Sequence, residues 1–126
     1  MKQAVQTDGA PAPIGPYSQG IITSGRLLFV AGQTPKDPRT GQMPRDFLTQ
    51  AVRCMENVKA IIEAAGATMA DVVKVNAYLA DLANFAVFNE VYARYFSAPY
   101  PARTTIGAVL PGGAVLLEMD AIVSLP

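Results

Sequence analysis

The sequence predicts an α+β domain in which two helices cover one face of a mostly antiparallel sheet. Three observations support this class. The chain has 126 residues, of which 51% are hydrophobic, enough for one domain with a real core. Two segments repeat apolar residues at helical spacing, and the others alternate or run as short β-type segments. The predicted element order is ββαβαββ, in a single domain over residues 1–126.

The N-terminal third predicts an extended arm, two strands and a loop. Residues 1–16 are rich in Pro and Gly and indicate an arm without regular structure. Residues 18–25 and 26–33 are β-type runs parted by Ser24-Gly25, which favours a hairpin between them. Residues 34–46 are dense in Pro, Gly and Asp and predict a loop.

Two amphipathic helices are predicted, with a strand over residues 71–80 between them. Asp46 is a candidate N-cap of the first helix and Gly66 its stop, and Asn84 is a candidate N-cap of the second. The apolar stripe of the first helix is Leu48, Ala51, Met55, Val58 and Ile62, and that of the second is Phe85, Phe88, Tyr92 and Phe96.

The last two strands, over residues 102–110 and 114–125, are predicted to form a hairpin around the turn PGG. Alternation of side chains places Glu118 and Asp120 on the face away from the helices. If Pro111-Gly112 is a two-residue turn, Arg103 lies opposite Asp120 and Thr105 opposite Glu118. Ile106, in contrast, would face the helices. This register gathers Arg103, Thr105, Glu118 and Asp120 on one face of one hairpin.

Composition excludes several classes of function. The ten basic and ten acidic residues cancel, so no electrostatic footprint of a nucleic-acid-binding protein is present. The chain has no histidine, which removes His-based nucleophile activation and most zinc chemistry. One cysteine, Cys54, allows no intrachain disulfide. The N-terminus lacks an apolar signal segment. We therefore expect a soluble cytoplasmic protein with no metal, no membrane partner and no nucleic-acid partner.

Arg103 and Glu118 are the residues best suited to chemistry. Arg103 could form a structural ion pair with Asp120 or Glu118, or could bind a substrate carboxylate through two hydrogen bonds. Glu118 beside an arginine would stay ionised and could position a water molecule. Cys54 flanks the helix stripe and is predicted to be inert.

Five stretches together resemble one family. They are IGPYSQG (14–20), FVAGQTP (29–35), the segment 58–96, PARTTIG (101–107) and LLEMDAI (116–122). In this order they are similar to the RidA family, also called YjgF or L-PSP endoribonuclease-like. The resemblance implies a chorismate-mutase-like fold and a homotrimer with clefts between subunits. It also implies cofactor-free hydrolysis of 2-imino and 2-enamino acids, such as 2-iminopropanoate and 2-iminobutanoate, to 2-oxo acids and ammonia.

The resemblance also assigns roles to residues. Arg103 matches the arginine that binds the substrate carboxylate, and Glu118 the glutamate that holds the attacking water. The positions that line the cleft are Tyr17, Gly32 and Asn89. Thr105, a further substrate-binding candidate, stands where many members carry a cysteine.

Three alternatives remain open on the sequence alone. The same cleft could bind a 2-oxo acid or another small carboxylate without turnover. Some relatives are credited with ribonuclease or translation-inhibitor activity, which the neutral charge and the missing histidine disfavour. A deaminase acting on a different imine is the third alternative.

Overall fold

The computed structural model of the chain describes residues 2–126 and confirms the α+β class. The strands alternate with two α-helices, and short 3₁₀ turns at Met69–Asp71 and Leu82–Asn84 precede the fourth strand and the second helix. The elements are β1 (Lys2–Val5), β2 (Gly20–Thr23), β3 (Leu27–Gln33), α1 (Phe47–Ala64), β4 (Val72–Leu79), α2 (Phe85–Tyr95), β5 (Ala102–Gly107) and β6 (Leu117–Ser124).

The main sheet has the strand order β3-β6-β4-β5. The β3–β6 and β6–β4 pairs are antiparallel, whereas β4 and β5 are parallel and are connected through α2. A parallel pair needs such a crossover connection, because its two strands run in the same direction. β1 and β2 form a separate antiparallel pair, and the Ser18 N–H donates to the Pro101 carbonyl at 3.0 Å. The small pair is thereby tied to the start of β5.

Three sequence predictions about strand pairing are wrong. The N-terminal arm contains β1, so the observed order has one more strand than ββαβαββ. β2 pairs with β1 and β3 pairs with β6, so the hairpin predicted at Ser24-Gly25 does not form. β5 and β6 lie on opposite sides of β4 rather than beside each other. The predicted final hairpin, and the cross-strand pairs derived from it, are therefore absent.

The bounds of α1 follow the predicted signals. The Asp46 carboxylate accepts a hydrogen bond from the Thr49 N–H at 2.9 Å, which satisfies a free donor of the first turn. Gly66 has φ +82° just after the helix, a conformation that favours glycine at a helix end. Leu48 was assigned wrongly to the core, since it is 45% exposed. The buried residues of α1 are Phe47, Gln50, Ala51, Cys54, Met55, Val58 and Ile62.

α2 begins differently from the prediction. Asn84 occupies the N-cap position, but its side chain makes no capping hydrogen bond. Asp81 instead accepts from the Ala83 N–H at 2.9 Å and caps the preceding 3₁₀ turn. The buried residues of α2 are Phe88, Val91 and Tyr92.

One core lies between the helices and one face of the main sheet. Leu117, Met119 and Ala77, for example, are at most 3% exposed and belong to it. The opposite face of the sheet carries exposed apolar side chains, including Phe29 at 69% and Ile106 at 48%. The sequence had placed Ile106 on the helix side, which is wrong. No helix within residues 2–126 is long and apolar enough to cross a membrane.

Candidate active site

The Arg103 guanidinium lies among aromatic rings. Its central carbon is 4.8 Å from the ring centre of Tyr92, 5.4 Å from Tyr17, 5.5 Å from Phe88 and 5.8 Å from Phe85. Three of these rings come from α2, where spacings of three and four residues bring them to one side of the helix. At such distances a guanidinium is attracted to the ring faces. The rings hold the cation without supplying a counter-charge.

No carboxylate pairs with Arg103 among residues 2–126; the ion pair found there joins Arg94 to Glu90 at 3.6 Å on the surface of α2. The Nη1 atom of Arg103 is buried and has no hydrogen-bond partner. Burial lowers the pKa of Arg103, whereas the neighbouring Tyr92 and Tyr17 raise it. The predicted ion pair with Asp120 or Glu118 is therefore wrong, and the guanidinium is left available for an external anion.

Three further buried polar atoms of α2 and β5 lack partners, and two of them belong to Tyr92 and Thr105, which lie beside Arg103. They are Oδ1 of Asn89, the hydroxyl of Tyr92 and Oγ1 of Thr105. Buried polar side-chain atoms are normally hydrogen-bonded in native proteins, so a cluster without partners needs an explanation. All of these atoms belong to α2 or β5, as Arg103 does. The Tyr92 hydroxyl, Oγ1 of Thr105 and Nη1 of Arg103 form a set of donors and acceptors suited to a small polar ligand.

A cavity of about 180 Å³ opens beside Arg103. This is smaller than the roughly 300–1,000 Å³ of sites for drug-sized ligands, so it suits a small acid rather than a nucleotide. Its lining is mostly apolar around the cation, with one threonine hydroxyl. The lining residues are Ile14, Gly15, Tyr17, Phe85, Arg103 and Thr105.

Glu118 lies in a different environment, next to Gly32. Gly32 follows Val30 in the irregular part of β3, where the pairing with β6 shifts. A Cβ atom at Gly32 would overlap Oε2 of Glu118 and lie 3.1 Å from its Cδ. Glycine is thus required for the carboxylate to occupy this position. In the described part of the chain, the Glu118 side chain makes no hydrogen bond and no ion pair.

Asp120, two residues further along β6, is fully engaged. Its Oδ1 accepts from the Asn76 amide at 2.9 Å, and its Oδ2 accepts from the Tyr78 hydroxyl at 3.1 Å. The hydrogen bond to Asp120 raises the pKa of Tyr78. Asp120 therefore has a structural role between β6 and β4, and Glu118 is the free carboxylate of this face.

The sheet separates the two charged groups within one chain. Val75 of β4 is aligned with Arg103 on one side and with Ala121 on the other. Tyr78 is aligned in the same way with Ile106 and Glu118. Since side chains alternate along a strand, Arg103 points to the helix side and Glu118 to the opposite face. The prediction that they share a face is wrong.

The predicted site residues accordingly form two groups. Tyr17 and Thr105 lie with Arg103, and Gly32 lies with Glu118. Asn89 lies on α2, one residue after Phe88, and does not line the cavity at Arg103. Sequence reasoning missed the ring environment, because the aromatic stripe of α2 was interpreted as core packing alone. The lining residues Ile14 and Gly15 were missed as well, in a segment read only as an arm. The signal that could have indicated the ring environment is an arginine in the strand that follows an aromatic amphipathic helix.

Cys54 is unsuited to nucleophilic chemistry, as predicted. It is fully buried, and its thiol donates to the Gln33 carbonyl at 3.1 Å. Burial raises the pKa of Cys54 to about 12, so the thiolate is scarce at neutral pH. No group of His, Cys, Asp and Glu side chains in residues 2–126 could hold a metal ion.

Comparison with known proteins identifies one family. The model of the endoribonuclease L-PSP family matches residues 7–125. A RutC family protein of Pyrococcus horikoshii is 48% identical, over 97% of both chains. TdcF of Escherichia coli, whose name assigns it provisionally as a reactive intermediate deaminase, is 42% identical over 97% of this chain and 96% of its own.

Solved structures agree with these relatives. The crystal structure of RidA from an Antarctic Psychrobacter has a TM-score of 0.76 at 43% identity, and covers 98% of this chain and 99% of its own. The structure of Escherichia coli TdcF with bound serine has a TM-score of 0.76 at 39% identity, with the same coverage.

Proposed function

The chain belongs to the endoribonuclease L-PSP family, also called the YjgF or RidA family, and on that premise we propose that it hydrolyses reactive 2-imino acids. The substrates would be small, such as 2-iminopropanoate and 2-iminobutanoate, and the products a 2-oxo acid and ammonia. The observation that carries the proposal is the unpartnered Arg103 guanidinium in a small, largely apolar cavity. A carboxylate is the natural partner for such a group.

Arg103 binds the substrate carboxylate through two parallel N–H donors. Hydrogen bonds between charged groups contribute about 1.5–3 kcal/mol each, which suffices to orient a molecule of this size. The aromatic rings around the guanidinium exclude water and strengthen the interaction. The serine bound to TdcF supports this assignment, since serine presents a carboxylate on a small carbon skeleton.

Glu118 holds the attacking water. Water adds to the carbon of the C=N bond, a carbinolamine forms, and its C–N bond breaks to release ammonia and leave the 2-oxo acid. One proton of the water passes to the nitrogen as the carbinolamine forms, and the hydroxyl proton of the carbinolamine passes to the nitrogen as the C–N bond breaks. The carboxylate of Glu118 is suited to transfer these protons. The free state of this carboxylate, next to Gly32, supports the role. Positioning supplies most of the rate gain, because imines hydrolyse in water unaided and only a modest acceleration is required.

The two residues would meet between copies of the chain. Within one chain they point to opposite faces of the sheet, so we propose a homotrimer in which Arg103 of one subunit faces Glu118 and Gly32 of the next. The exposed apolar side chains on the uncovered sheet face, including Phe29 and Leu27, support burial of that face against another copy. Light scattering should give three times the 13.3 kDa of one chain.

A coupled assay tests both proposals. Threonine dehydratase generates 2-iminobutanoate in situ, and the appearance of 2-oxobutanoate is followed with wild type, Arg103→Ala and Glu118→Ala. Both variants should lose the acceleration. Co-expressing the two variants should restore about a quarter of it, because one site in four then combines an intact arginine with an intact glutamate from different chains.

The controls separate the possible failures. Arg94→Ala, which removes an exposed arginine of α2, should retain full activity. No acceleration by the wild-type protein would refute the deaminase. Loss of activity in each variant without recovery in the co-expressed mixture would place both residues in one chain's site and refute the shared cleft.

A small-carboxylate binding protein is the second candidate, and the serine bound to TdcF favours it. Both functions require Arg103, so Glu118 distinguishes them. In a binding protein, Glu118→Ala should retain affinity for 2-oxobutanoate, and wild type should show no turnover. In a deaminase, the same change should reduce kcat far more than affinity.

A further inference from the structure

The Gln19 side chain forms a set of hydrogen bonds to the segment that precedes β2. We call these hydrogen bonds the clip, and residues 6–17 the clipped segment. Its Oε1 accepts from the Thr7 N–H at 2.7 Å. Its Nε2 donates to the carbonyls of Thr7 at 3.1 Å, Ala10 at 3.2 Å and Pro11 at 2.8 Å. The two N–H groups of Nε2 are therefore shared among three carbonyls, and one amide contacts the exposed backbone at three residues.

The other hydrogen bonds within residues 6–17 are local. The Gly9 N–H donates to Thr7 Oγ1 at 3.1 Å, and the Ile14 N–H donates to the Tyr17 hydroxyl at 3.3 Å. Three positions of this segment are prolines and have no N–H to donate. Most of the segment is exposed to solvent, so burial contributes little to its order. Its conformation depends on the clip to an unusual degree.

The clipped segment forms one wall of the Arg103 cavity. Ile14, Gly15 and Tyr17 line that cavity, and the Tyr17 ring lies 5.4 Å from the guanidinium. At the C-terminal end, the Ser18 hydroxyl donates to the Tyr100 carbonyl. The wall is thus attached at one end through Ser18 and at the other through the hydrogen bond from Gln19 to Pro11. Residues 12–17 span the distance between these two attachments.

We infer that Gln19 is a positioning residue that keeps this wall closed over Arg103 and thereby sets the affinity for the substrate carboxylate. Its side-chain hydrogen bonds go to the backbone of Thr7, Ala10 and Pro11, and it acts through the backbone that carries Ile14 and Tyr17. The inference rests on the proposed function for the identity of the ligand. The ordering of residues 6–17 by Gln19 can be tested without any activity.

Two substitutions probe the clip, with one matched control. Gln19→Ala removes all of its hydrogen bonds, whereas Gln19→Glu keeps the acceptor and turns a negative charge toward three carbonyl oxygens. Gln6→Glu makes the same chemical change at an exposed position of the same loop. Both Gln19 variants should raise KM and the Kd for 2-oxobutanoate about tenfold with kcat nearly unchanged, and Gln6→Glu should change neither.

The pH dependence gives a readout that a general loss of folding would not produce. Protonation restores one O–H donor to Gln19→Glu, so its Kd should approach that of wild type as the pH falls from 8 to 5. Gln19→Ala should show no such recovery. Amide hydrogen exchange across residues 7–15 should be faster in both variants than in wild type at the same pH, with exchange in α1 unchanged.

These measurements separate the inference from the proposed function. If the wild-type protein binds 2-oxobutanoate without turnover, the deaminase is refuted. The role of Gln19 is then tested by the Kd values for 2-oxobutanoate and by hydrogen exchange. Unchanged Kd in both Gln19 variants, or unchanged hydrogen exchange in residues 7–15, would overturn the inference. Faster exchange together with weaker binding would establish it.

Discussion

The two charged groups of the proposed site differ in what surrounds them. Arg103 is held on the helix side of the sheet by four aromatic rings, in a small cavity closed on one side by the segment before β2. Glu118 lies on the uncovered face against the backbone of Gly32. The arginine has an enclosed, largely apolar site, and the carboxylate has a surface position shaped by one glycine.

The difference shows how a chain can keep opposite charges apart. If Arg103 and Glu118 shared a face, a close ion pair would neutralise both and leave neither free to bind a ligand. The intervening sheet prevents this within one subunit. Each group therefore stays available until a second copy brings the partner face into position, and substrate and water can then occupy the space between them.

A large effect on kcat is expected from filling the space next to Glu118. Gly32→Ala places a methyl group where the carboxylate now lies, so Glu118 has to move. A displacement of about 1 Å in a positioning group can cost about 100-fold in rate. We expect kcat for 2-iminobutanoate to fall by about that factor, while KM changes little, because Arg103 still binds the carboxylate.

Gly113→Ala is the matched control, since nothing lies within 4 Å of a Cβ atom there. It should retain wild-type kcat. Thermal unfolding of Gly32→Ala should stay close to that of wild type, because the displaced group is the flexible end of a side chain. Wild-type kcat in Gly32→Ala would show that the position of Glu118 does not matter for the reaction.

How far the sequence determines this architecture can be judged from its elements. The period of three and four, the Asp46 cap and the Gly66 stop predicted α1 because these signals are local. The pairing of β5 was mispredicted because strands close in sequence usually pair, and nothing local reveals that β4 lies between β5 and β6. A parallel neighbour reached through α2 is a property of the whole fold.

The same cause explains the error in the site. Apolar alternation along β6 correctly directed Glu118 away from the helices. Along β5, the residues from Ala102 to Gly107 show no apolar alternation, so the face of Arg103 depended on an assumed partner strand. Its residue type did suggest carboxylate binding, since that inference depends on guanidinium chemistry rather than on register. A candidate chemistry for Arg103 could therefore be proposed from the sequence, whereas the face on which it lies could not.

Removing the Arg103 guanidinium should affect activity far more than stability. A buried structural ion pair loses about 3–5 kcal/mol when one partner is removed. Arg103 has no such partner, and its ring contacts are offset by the cost of burying Nη1. Arg103→Met should therefore change the free energy of unfolding by less than about 1 kcal/mol, while abolishing deaminase activity.

Urea denaturation monitored by circular dichroism provides the measurement, at one protein concentration for all variants. Arg94→Met, on the exposed side of α2, serves as the reference for losing a surface arginine. A loss of several kcal/mol in Arg103→Met alone would instead assign Arg103 to the structural framework and weaken the carboxylate-binding role.

The smallest effect is expected from Tyr78→Phe, which distinguishes the structural role of Asp120 from the proposed role of Glu118 on the uncovered face. Asp120 accepts a hydrogen bond from the Tyr78 hydroxyl at 3.1 Å, whereas Glu118 has no such partner. Tyr78→Phe removes that bond and should lower the free energy of unfolding at pH 7 by about 1 kcal/mol. Activity should change less than about threefold, because Glu118 keeps its position against Gly32.

The pH dependence of this loss identifies its source. The hydrogen bond to Asp120 raises the pKa of Tyr78 above its usual value of about 10. A raised folded-state pKa means that the contribution to stability is fully present below pH about 10 and is lost as the pH rises through the raised value. The stability difference between wild type and Tyr78→Phe should therefore be constant from pH 6 to 9 and shrink at higher pH. A difference that persists at high pH would trace the loss to packing of the Tyr78 ring rather than to its hydrogen bond with Asp120.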